Sequence, residues 1–417
     1  MRGWRHLFPL MNHLFAYQHH LDLYDLDFVY RTDGKREMTQ SVHQSFRDFV
    51  EKTLSGSKPI KKLSLNCQDG RICLNLIDQW VRKALERGVV DLDLRFRTST
   101  EAMDPDLRGL GVFPILPCSV FQSTTLVKLT LGIAVGDVLG LNPKVSLPVL
   151  KSLFLYGDSP IFYQVYTVML RDCPVLEELS LNYWDSRYRE KEEFPISHQT
   201  LRRLTVIYKN ILGYTLIMRC NTPSLVYFDY SGGIAPSCDS TCNFLNSLLE
   251  AKLDIQHYRR YNIVHRDPST VIKWICNVKT LSLSSATVEV MDAACVRVPC
   301  FTNLVKLSFE SYKKEGWKVL SRLLNKSPKL ETLVLKGLHC APDEEVDVDI
   351  NKVKVLEICR FRGSCSEFRQ LDCFLGQMQF LQVMKVELDA VEKEKPRLIN
   401  HLRDLSAKSS SCEIIPC

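Results

Sequence analysis

Long apolar runs are absent from this 417-residue sequence. The longest stretch without a charged residue covers residues 109–127, and Pro114 and Pro117 interrupt it. A membrane-spanning helix needs about 20 mostly apolar residues, so the sequence predicts no membrane span. Near the start, Pro9 and His13 break the apolar stretch too early for a secretory signal peptide, which predicts an intracellular protein.

A strong excess of one charge is also absent. The chain has 54 Lys and Arg against 48 Asp and Glu, a net charge of +6 with a pI near 8.5. Nucleic-acid-binding domains usually have a pI above about 9 and clustered basic residues. Here the charges are mixed, as in residues 187–193, which is typical of a solvated surface. The sequence therefore predicts no nucleic-acid partner.

Motifs of catalysis are missing as well. The sequence contains no phosphate-binding G-x-x-x-x-G-K, no G-x-S-x-G and no H-E-x-x-H. His265-Arg266-Asp267 matches the start of a kinase catalytic loop, but Pro268 and Ile272 replace the Leu and Asn that such a loop requires. We interpret this segment as a surface turn, and we predict that the protein is not an enzyme and has no cofactor.

The sixteen cysteines are spread over the whole chain instead of forming the dense framework of a small secreted domain. Cys238 with Cys242, and Cys295 with Cys300, lack a second close Cys or His pair at zinc-binding spacing. We therefore predict reduced, core-filling thiols, no metal site, and a cytoplasmic or nuclear location.

A repeated hexapeptide dominates the sequence instead. Leu176-Glu-Glu-Leu179-Ser-Leu181 has the spacing L-x-x-L-x-L, in which two leucines one residue apart point to the same side of a strand. Eleven of the twelve intervals between successive central residues are 23–29 residues long, the period of leucine-rich repeats. The central residues are Leu63, Leu92, Leu129, Leu153, Leu179, Leu204, Phe228, Leu253, Leu281, Leu307, Leu333, Leu356 and Met384.

Helical patterns lie between these strands. Apolar spacing predicts helices over residues 41–54, 74–86, 316–324 and 367–375. A proline precedes several strands, where it ends the helix and favours extended backbone. The usual Asn or Cys after the strand is missing, and the longest interval, 37 residues, predicts a loop. The predicted fold class is α/β: an irregular leucine-rich-repeat horseshoe, with a parallel β-sheet on its concave face and helices on its convex face.

Side chains that alternate with the core leucines should face the concave side of the sheet, where partners of such repeats dock. Aromatic residues and arginine tend to contribute most to binding, which directs attention to the fourth to seventh repeats. The alternative is that loops or the C-terminal segment cover these side chains. The partner-binding candidates are Phe154, Tyr156, Glu178, Asn182, Trp184, Arg203, Tyr227 and Asp229.

Seven segments, in this order and spacing, resemble plant F-box proteins with leucine-rich repeats and a C-terminal FBD region. The first, residues 4–8 (WRHLF), is similar to the end of an F-box, and residues 21–28 are similar to the acidic-apolar segment after it. The other five are residues 46–50, residues 80–94, and the C-terminal segments 355–363, 381–386 and 411–415. The resemblance covers nearly the whole chain.

The resemblance implies three regions: the end of an F-box and a linker in residues 1–40, repeats in residues 41–340, and an FBD-like continuation of the repeats in residues 341–417. It also implies a non-catalytic substrate receptor of a Skp1–cullin–F-box (SCF) ubiquitin ligase. Because Met1 falls near the end of the F-box, binding to a Skp1-type adaptor is expected to be weakened or lost. The remaining adaptor-contact candidates are Trp4, Leu7 and Phe8. The alternative is a freestanding repeat scaffold or competitor that binds protein partners without ubiquitination.

Overall fold

The structure is a computed structural model. It describes residues 19–25, 31–32, 35–36, 40–67, 74–96, 118–133, 144–157, 161–185, 192–210, 216–233, 246–256, 268–294, 296–341, 352–406 and 413–416. The strands are β1 (His20–Tyr24), β2 (Arg31–Thr32), β3 (Lys35–Arg36), β4 (Lys62–Cys67), β5 (Asp91–Phe96), β6 (Lys128–Ile133), β7 (Ser152–Gly157), β8 (Glu178–Asp185), β9 (Glu192–Ser197), β10 (Arg203–Asn210), β11 (Leu216–Asn221), β12 (Tyr227–Gly233), β13 (Glu250–Gln256), β14 (Thr280–Leu283), β15 (Lys306–Glu310), β16 (Thr332–Lys336), β17 (Val355–Phe361), β18 (Val383–Leu388) and β19 (Glu413–Pro416).

The helices alternate with these strands. They are α1 (Gln40–Leu54), α2 (Leu74–Glu86), α3 (Ile161–Asp172), α4 (Ser269–Trp274), α5 (Ser285–Ala293), α6 (Trp317–Asn325), α7 (Cys365–Gln377) and α8 (Lys395–Ser406), with short 3₁₀ helices at Cys118–Gln122 and Leu338–Cys340. The helices predicted from apolar spacing are confirmed, with small differences at their ends.

The chain forms two compact units. Unit 1 contains residues 1–186 and 196–201, and unit 2 contains residues 187–195 and 202–417. In unit 1, β1, β4, β5, β6, β7 and β8 pair in that order as parallel strands. In unit 2, β10 and β12 through β19 pair in chain order, again in parallel. Parallel strands joined by helices, repeated at this period, are the architecture of leucine-rich repeats, so the predicted fold class is confirmed.

The strand register follows the repeated leucines. In unit 1, Leu63, Leu92, Leu129, Leu153 and Leu179 stand opposite one another in successive strands and are fully buried. Each of these strands thus contributes its central leucine to one continuous row of the core. Such rows bury apolar surface against the neighbouring repeats, because no single repeat can bury its apolar face alone.

One central residue, Leu253, was assigned to the wrong position in its strand. In β13 the residue opposite Phe228 is Ala251, and Leu253 pairs with Tyr230 instead. The strand therefore enters the sheet two residues earlier than the leucine pattern indicates. Since a shift of two residues keeps the same face towards the core, both Ala251 and Leu253 remain buried. The small Ala251 simply occupies a position that leucine fills elsewhere.

Strand β1 extends the sheet of unit 1 beyond the first repeat that the sequence pattern identified. Leu21 and Leu23 stand opposite Leu63 and Leu65 and are buried with them. The carbonyl oxygen of His19 accepts hydrogen bonds from the two N–H groups at the start of the next repeat. The sequence pattern missed this strand because its short L-x-L lacks the first leucine of the hexapeptide.

The prolines predicted to start strands shape a recurrent turn. In residues 147–150, 173–176, 222–225 and 327–330, proline is the second residue, and the N–H of the fourth donates to the carbonyl of the first at 3.1–3.3 Å. This is the position that proline favours in a β-turn, because its ring presets φ.

Backbone hydrogen bonds also connect successive repeats beside these turns. The carbonyl oxygen of Val127 accepts hydrogen bonds from the backbone N–H groups of Lys151 and Ser152, at 2.8 and 3.1 Å, and most other repeats show the same arrangement. A backbone ladder thus links the repeats where the usual Asn side chains are missing.

Helix packing completes each core. In α2, Ile77, Trp80, Val81 and Ala84 are buried, and Trp80 meets Phe46 of α1 edge to face, with ring centroids 6.0 Å apart. In unit 2, Trp317 of α6 packs on Phe309 of β15 in the same manner at 5.6 Å. Large aromatic rings therefore fill the space between the two helices in unit 1 and between helix and sheet in unit 2.

Candidate functional site

The strand residues that alternate with the buried leucines form what we call the outer face of each sheet. On β7, for example, Leu153 and Leu155 are buried, whereas Phe154 and Tyr156 are half-buried on the outer face. This alternation follows from the period of two in a β-strand. Of the eight predicted partner-binding residues, Phe154, Tyr156, Glu178, Asn182 and Trp184 belong to unit 1, and Arg203, Tyr227 and Asp229 belong to unit 2.

In unit 1, two of the three aromatic candidates, Phe154 and Tyr156, are each covered by a cation from another strand. The ammonium group of Lys128 lies 5.0 Å from the centroid of the Phe154 ring. The guanidinium carbon of Arg95 lies 5.4 Å from the centroid of the Tyr156 ring. Both distances are within the range of cation–π attraction, which contributes about 0.5–1 kcal/mol at exposed sites. The rings and cations are therefore held in place before any partner arrives.

Arg95 reaches Tyr156 across an intervening strand. Arg95 of β5, Gly132 of β6 and Tyr156 of β7 stand opposite one another in register. A Cβ atom on Gly132 would lie only 3.1 Å from Cγ of Arg95, so the missing side chain leaves the space in which the arginine stem lies. Arg95 also donates two hydrogen bonds of 2.9 Å to the carboxylate of Asp93. The hydrogen bond with Asp93 is the main reason that the pKa of Arg95 is raised.

The candidates on β8 stand next to these aromatic residues. Glu178 lies opposite Ser152, whose hydroxyl donates a hydrogen bond of 3.1 Å to the glutamate. Asn182 lies opposite Tyr156 and is half-buried. The structure thus places four of the predicted residues of unit 1 on two adjacent strands of one face. The side chain of Trp184 is outside the described residues, so its role stays a prediction.

In unit 2 the candidates surround one tyrosine. Tyr227 is only 8% exposed because Arg203 of β10 stacks on its ring at 3.9 Å and Lys252 of β13 lies 5.3 Å from the ring centroid. The hydroxyl group of Tyr227 donates a hydrogen bond of 3.0 Å to Asp229. Burial is the largest cause of the raised pKa of Tyr227, and it favours the protonated phenol that donates to Asp229. Glu250 approaches Lys252 at 3.7 Å.

These arrangements provide flat aromatic and guanidinium surfaces, each with a carboxylate beside it. Such surfaces suit a protein partner, since they combine apolar contact area with directional hydrogen bonds.

Sequence reasoning missed Arg95, Lys128, Gly132 and Lys252. The same period of two marks these positions as outward-facing, but attention to aromatic clusters alone did not select the cations that hold the rings.

Other sequence candidates lie elsewhere. Trp4, Leu7 and Phe8, the kinase-like segment 265–267, and the cysteine pair Cys238 and Cys242 are outside the described residues. Among the side chains that the structure describes, no group of three His, Cys, Asp or Glu is arranged to bind a metal ion. Within the same ranges, no helix combines the length and apolar character needed to cross a membrane.

The fold and the outer faces define the class: a leucine-rich-repeat protein with polar and aromatic side chains on the outer face of its strands. Residues 77–235 match the family model of the leucine-rich repeats of the FBD-associated F-box protein At5g56370. The chain is 51% identical to the F-box/LRR-repeat protein At5g25860 of Arabidopsis thaliana, over 99% of this chain and 90% of that protein. It is 36% identical to another from the same plant, At3g60040, over 97% and 87%. The chain belongs to the plant F-box/LRR-repeat family, as its sequence resemblance indicated.

Proposed function

We propose that this protein is a non-catalytic recognition module that binds a protein substrate for an SCF-type ubiquitin ligase. Membership of the F-box/LRR-repeat family supports the pathway. The observation that carries the recognition role is the pair of cation–aromatic clusters, Arg95 with Tyr156 in unit 1 and Arg203 with Tyr227 in unit 2. Both clusters lie on outer faces, both are fixed by neighbouring carboxylates, and neither serves to fill a core.

The physical basis of recognition is preorganisation. A flexible arginine loses side-chain entropy when a partner immobilises it, about 0.5–1.5 kcal/mol for each such side chain. Arg95 has already lost part of this freedom, because Asp93 holds its guanidinium group and Gly132 accommodates its stem. A partner therefore meets a surface whose shape is set in advance. Polar groups around Tyr156 can then orient the partner through hydrogen bonds.

Affinity purification of the tagged chain from plant cells, followed by quantitative mass spectrometry, tests this proposal. The variant Tyr156→Ala combined with Arg95→Ala is expected to lose specific partners several-fold. The control is Arg171→Ala, which removes an exposed arginine on helix α3 that forms an ion pair with the adjacent Asp172. Circular dichroism must show that both variants fold. Equal partner recovery by the wild-type protein and the double variant would refute the recognition role of this cluster.

The same purification separates the ligase receptor from its alternative, a freestanding scaffold or competitor. Recovery of a Skp1-type adaptor and a cullin together with the substrate supports the receptor. Recovery of substrates without an adaptor, and with no change in their ubiquitination when the chain is overproduced, supports the scaffold. We also propose a cytoplasmic or nuclear location, which a fluorescent fusion at the C-terminus tests directly.

A further inference from the structure

A second polar group lies in unit 2, at the ends of strands β15, β16 and β17. We call Glu310, Tyr312, Lys336, His339 and Arg360 the strand-exit cluster. Glu310 and Lys336 are the last residues of β15 and β16 and stand opposite each other in register. Lys336 in turn stands opposite Cys359, the residue before Arg360. These residues are on different strands from the Tyr227 cluster, and none of them is among the eight partner-binding candidates predicted from the sequence.

Tyr312 is an exposed aromatic residue on a fixed backbone. Its side chain is 41% exposed, and its hydroxyl group donates a hydrogen bond of 2.7 Å to Glu310. Its backbone N–H donates to the hydroxyl of Ser285 at 3.1 Å, and the N–H of Ser311 donates to the carbonyl of Lys336 at 3.1 Å. The His339 ring lies 6.1 Å from the Tyr312 ring. An exposed ring held this firmly resembles the anchors of protein interfaces, which lose little entropy on binding.

Arg360 adopts a backbone conformation that costs free energy. Its φ is +57°, in the left-handed region that disfavours residues with a Cβ atom by roughly 1–2 kcal/mol. It lies in a β-bulge, because β17 uses three steps from Ile358 to Phe361 where β18 uses two, from Val386 to Leu388. Bulges redirect side chains and frequently lie beside functional sites. The bulge leaves the Arg360 side chain exposed.

Arg360 lies beside Tyr312. The hydrogen bond with Glu310 is the main cause of the raised pKa of the Tyr312 phenol, and the nearby Arg360 guanidinium acts in the opposite direction. Among the residues that the structure describes, Arg360 and Lys336 form no ion pair of the kind that other cations of unit 2 form. Lys306 and Lys385 both approach Glu357, at 3.7 and 3.4 Å. Among the described residues, no carboxylate lies within 4.0 Å of the side-chain nitrogens of Arg360 or Lys336.

We propose that the strand-exit cluster binds carboxylate side chains in an acidic segment of a protein partner. Arg360 offers two parallel N–H donors, which match the geometry of a carboxylate, and Lys336 offers a second positive charge. The exposed Tyr312 ring supplies apolar contact beside them. A nucleic-acid backbone fits less well, since its binding depends on many cations along a track, whereas the strand-exit cluster offers Lys336 and Arg360.

The experiment uses the full chain and a fluorescein-labelled ten-residue peptide of Asp and Glu with one central Trp, followed by fluorescence anisotropy at low salt. The control peptide replaces every Asp and Glu by Asn and Gln. The wild-type chain should bind the acidic peptide at least about tenfold more tightly than the neutral one. Arg360→Gly combined with Lys336→Gln should lose about tenfold or more in affinity, because each removes a charge-assisted contact. Lys354→Gln, at a lysine paired with Glu331 at 2.7 Å, should change affinity less than about twofold.

Thermal unfolding separates binding from structure. Arg360→Gly removes the left-handed strain, so the variant should melt at the same temperature as wild type or higher while it loses peptide binding. A lower melting temperature with unchanged peptide binding would show that Arg360 is structural and overturn the proposal. Equal binding of the acidic and neutral peptides would also overturn it. A labelled single-stranded oligonucleotide is the last comparison. If it bound more tightly than the acidic peptide and Arg360→Gly abolished that binding, the proposal would be overturned, because the ligand would then be a phosphate group.

Discussion

Gly337 allows the sharpest test of the packing at the end of β16. Its φ is +82°, and a Cβ atom there would lie 2.2 Å from the carbonyl oxygen of Ser311. That oxygen belongs to the backbone, so no change of rotamer relieves the clash. Gly337→Ala should therefore cost the left-handed strain of about 1–2 kcal/mol plus a further 1–3 kcal/mol for displaced backbone. The expected total is a loss of about 2–5 kcal/mol in the free energy of unfolding.

Two other glycines provide matched controls. Gly88 has the same φ of +82°, but a Cβ atom there meets nothing within 4 Å, so Gly88→Ala should cost only the strain of about 1–2 kcal/mol. Gly376, near the end of helix α7, has neither restriction, and Gly376→Ala should stabilise the helix by up to about 1 kcal/mol. Urea unfolding of the three variants, together with hydrogen exchange of the segments around each glycine, measures the order of their free energies of unfolding. If Gly337→Ala proved as stable as Gly88→Ala, the close approach to Ser311 would be refuted.

Two further predictions concern Tyr227 and the cysteines. A double-mutant cycle of Arg203→Ala and Tyr227→Leu, measured by urea unfolding, should give a coupling of about 0.5–1 kcal/mol, and additive effects would contradict the stacking. Burial raises the pKa of the Cys173 thiol from 9.0 to about 12, so native protein at pH 8 should leave Cys173 unlabelled by iodoacetamide while the exposed Cys300 and Cys365 react. Since the folded pKa lies above the unfolded one, this thiol stabilises the fold below pH 9, and that contribution is lost as the pH rises towards 12. Mass spectrometry of labelled peptides, and unfolding measured between pH 8 and pH 11, check both statements.

Positive and negative charges nearly balance within the Tyr156 cluster and within the Tyr227 cluster. This balance determines how strongly salt affects the binding of a partner. Arg95 is paired with Asp93, and Lys252 lies near Glu250. Bound ion pairs of this kind give directional contacts without a strong long-range field. We therefore expect binding at the Tyr156 and Tyr227 clusters to depend weakly on salt. Binding at the strand-exit cluster, where Lys336 and Arg360 lack carboxylate partners among the described residues, should weaken markedly as salt is added.

Sequence reasoning identified the repeat and the rows of leucines in its core. It failed at Leu253 and at β1, and both failures have a physical reason. Leucine spacing gives the face of a strand but not its register along the neighbouring strand, because positions two residues apart face the same way. The pairing of Phe228 with Ala251 was decided by the hydrogen bonds of β12 and β13. Likewise, Leu21 joined the core only because β4 offers it a partner strand.

The sequence alone determined the α/β repeat, the helices between the strands and the outward direction of Tyr156 and Tyr227, because all three depend on local periodicity. Only the tertiary structure decided which cation covers which ring. Arg95 is 61 residues from Tyr156 along the chain, and the two meet because Gly132 stands between them without a side chain. Arg360 likewise reaches Tyr312 through a bulge that no spacing rule indicates. Contacts across strands depend on register and on the residues in between, and both are properties of the assembled sheet.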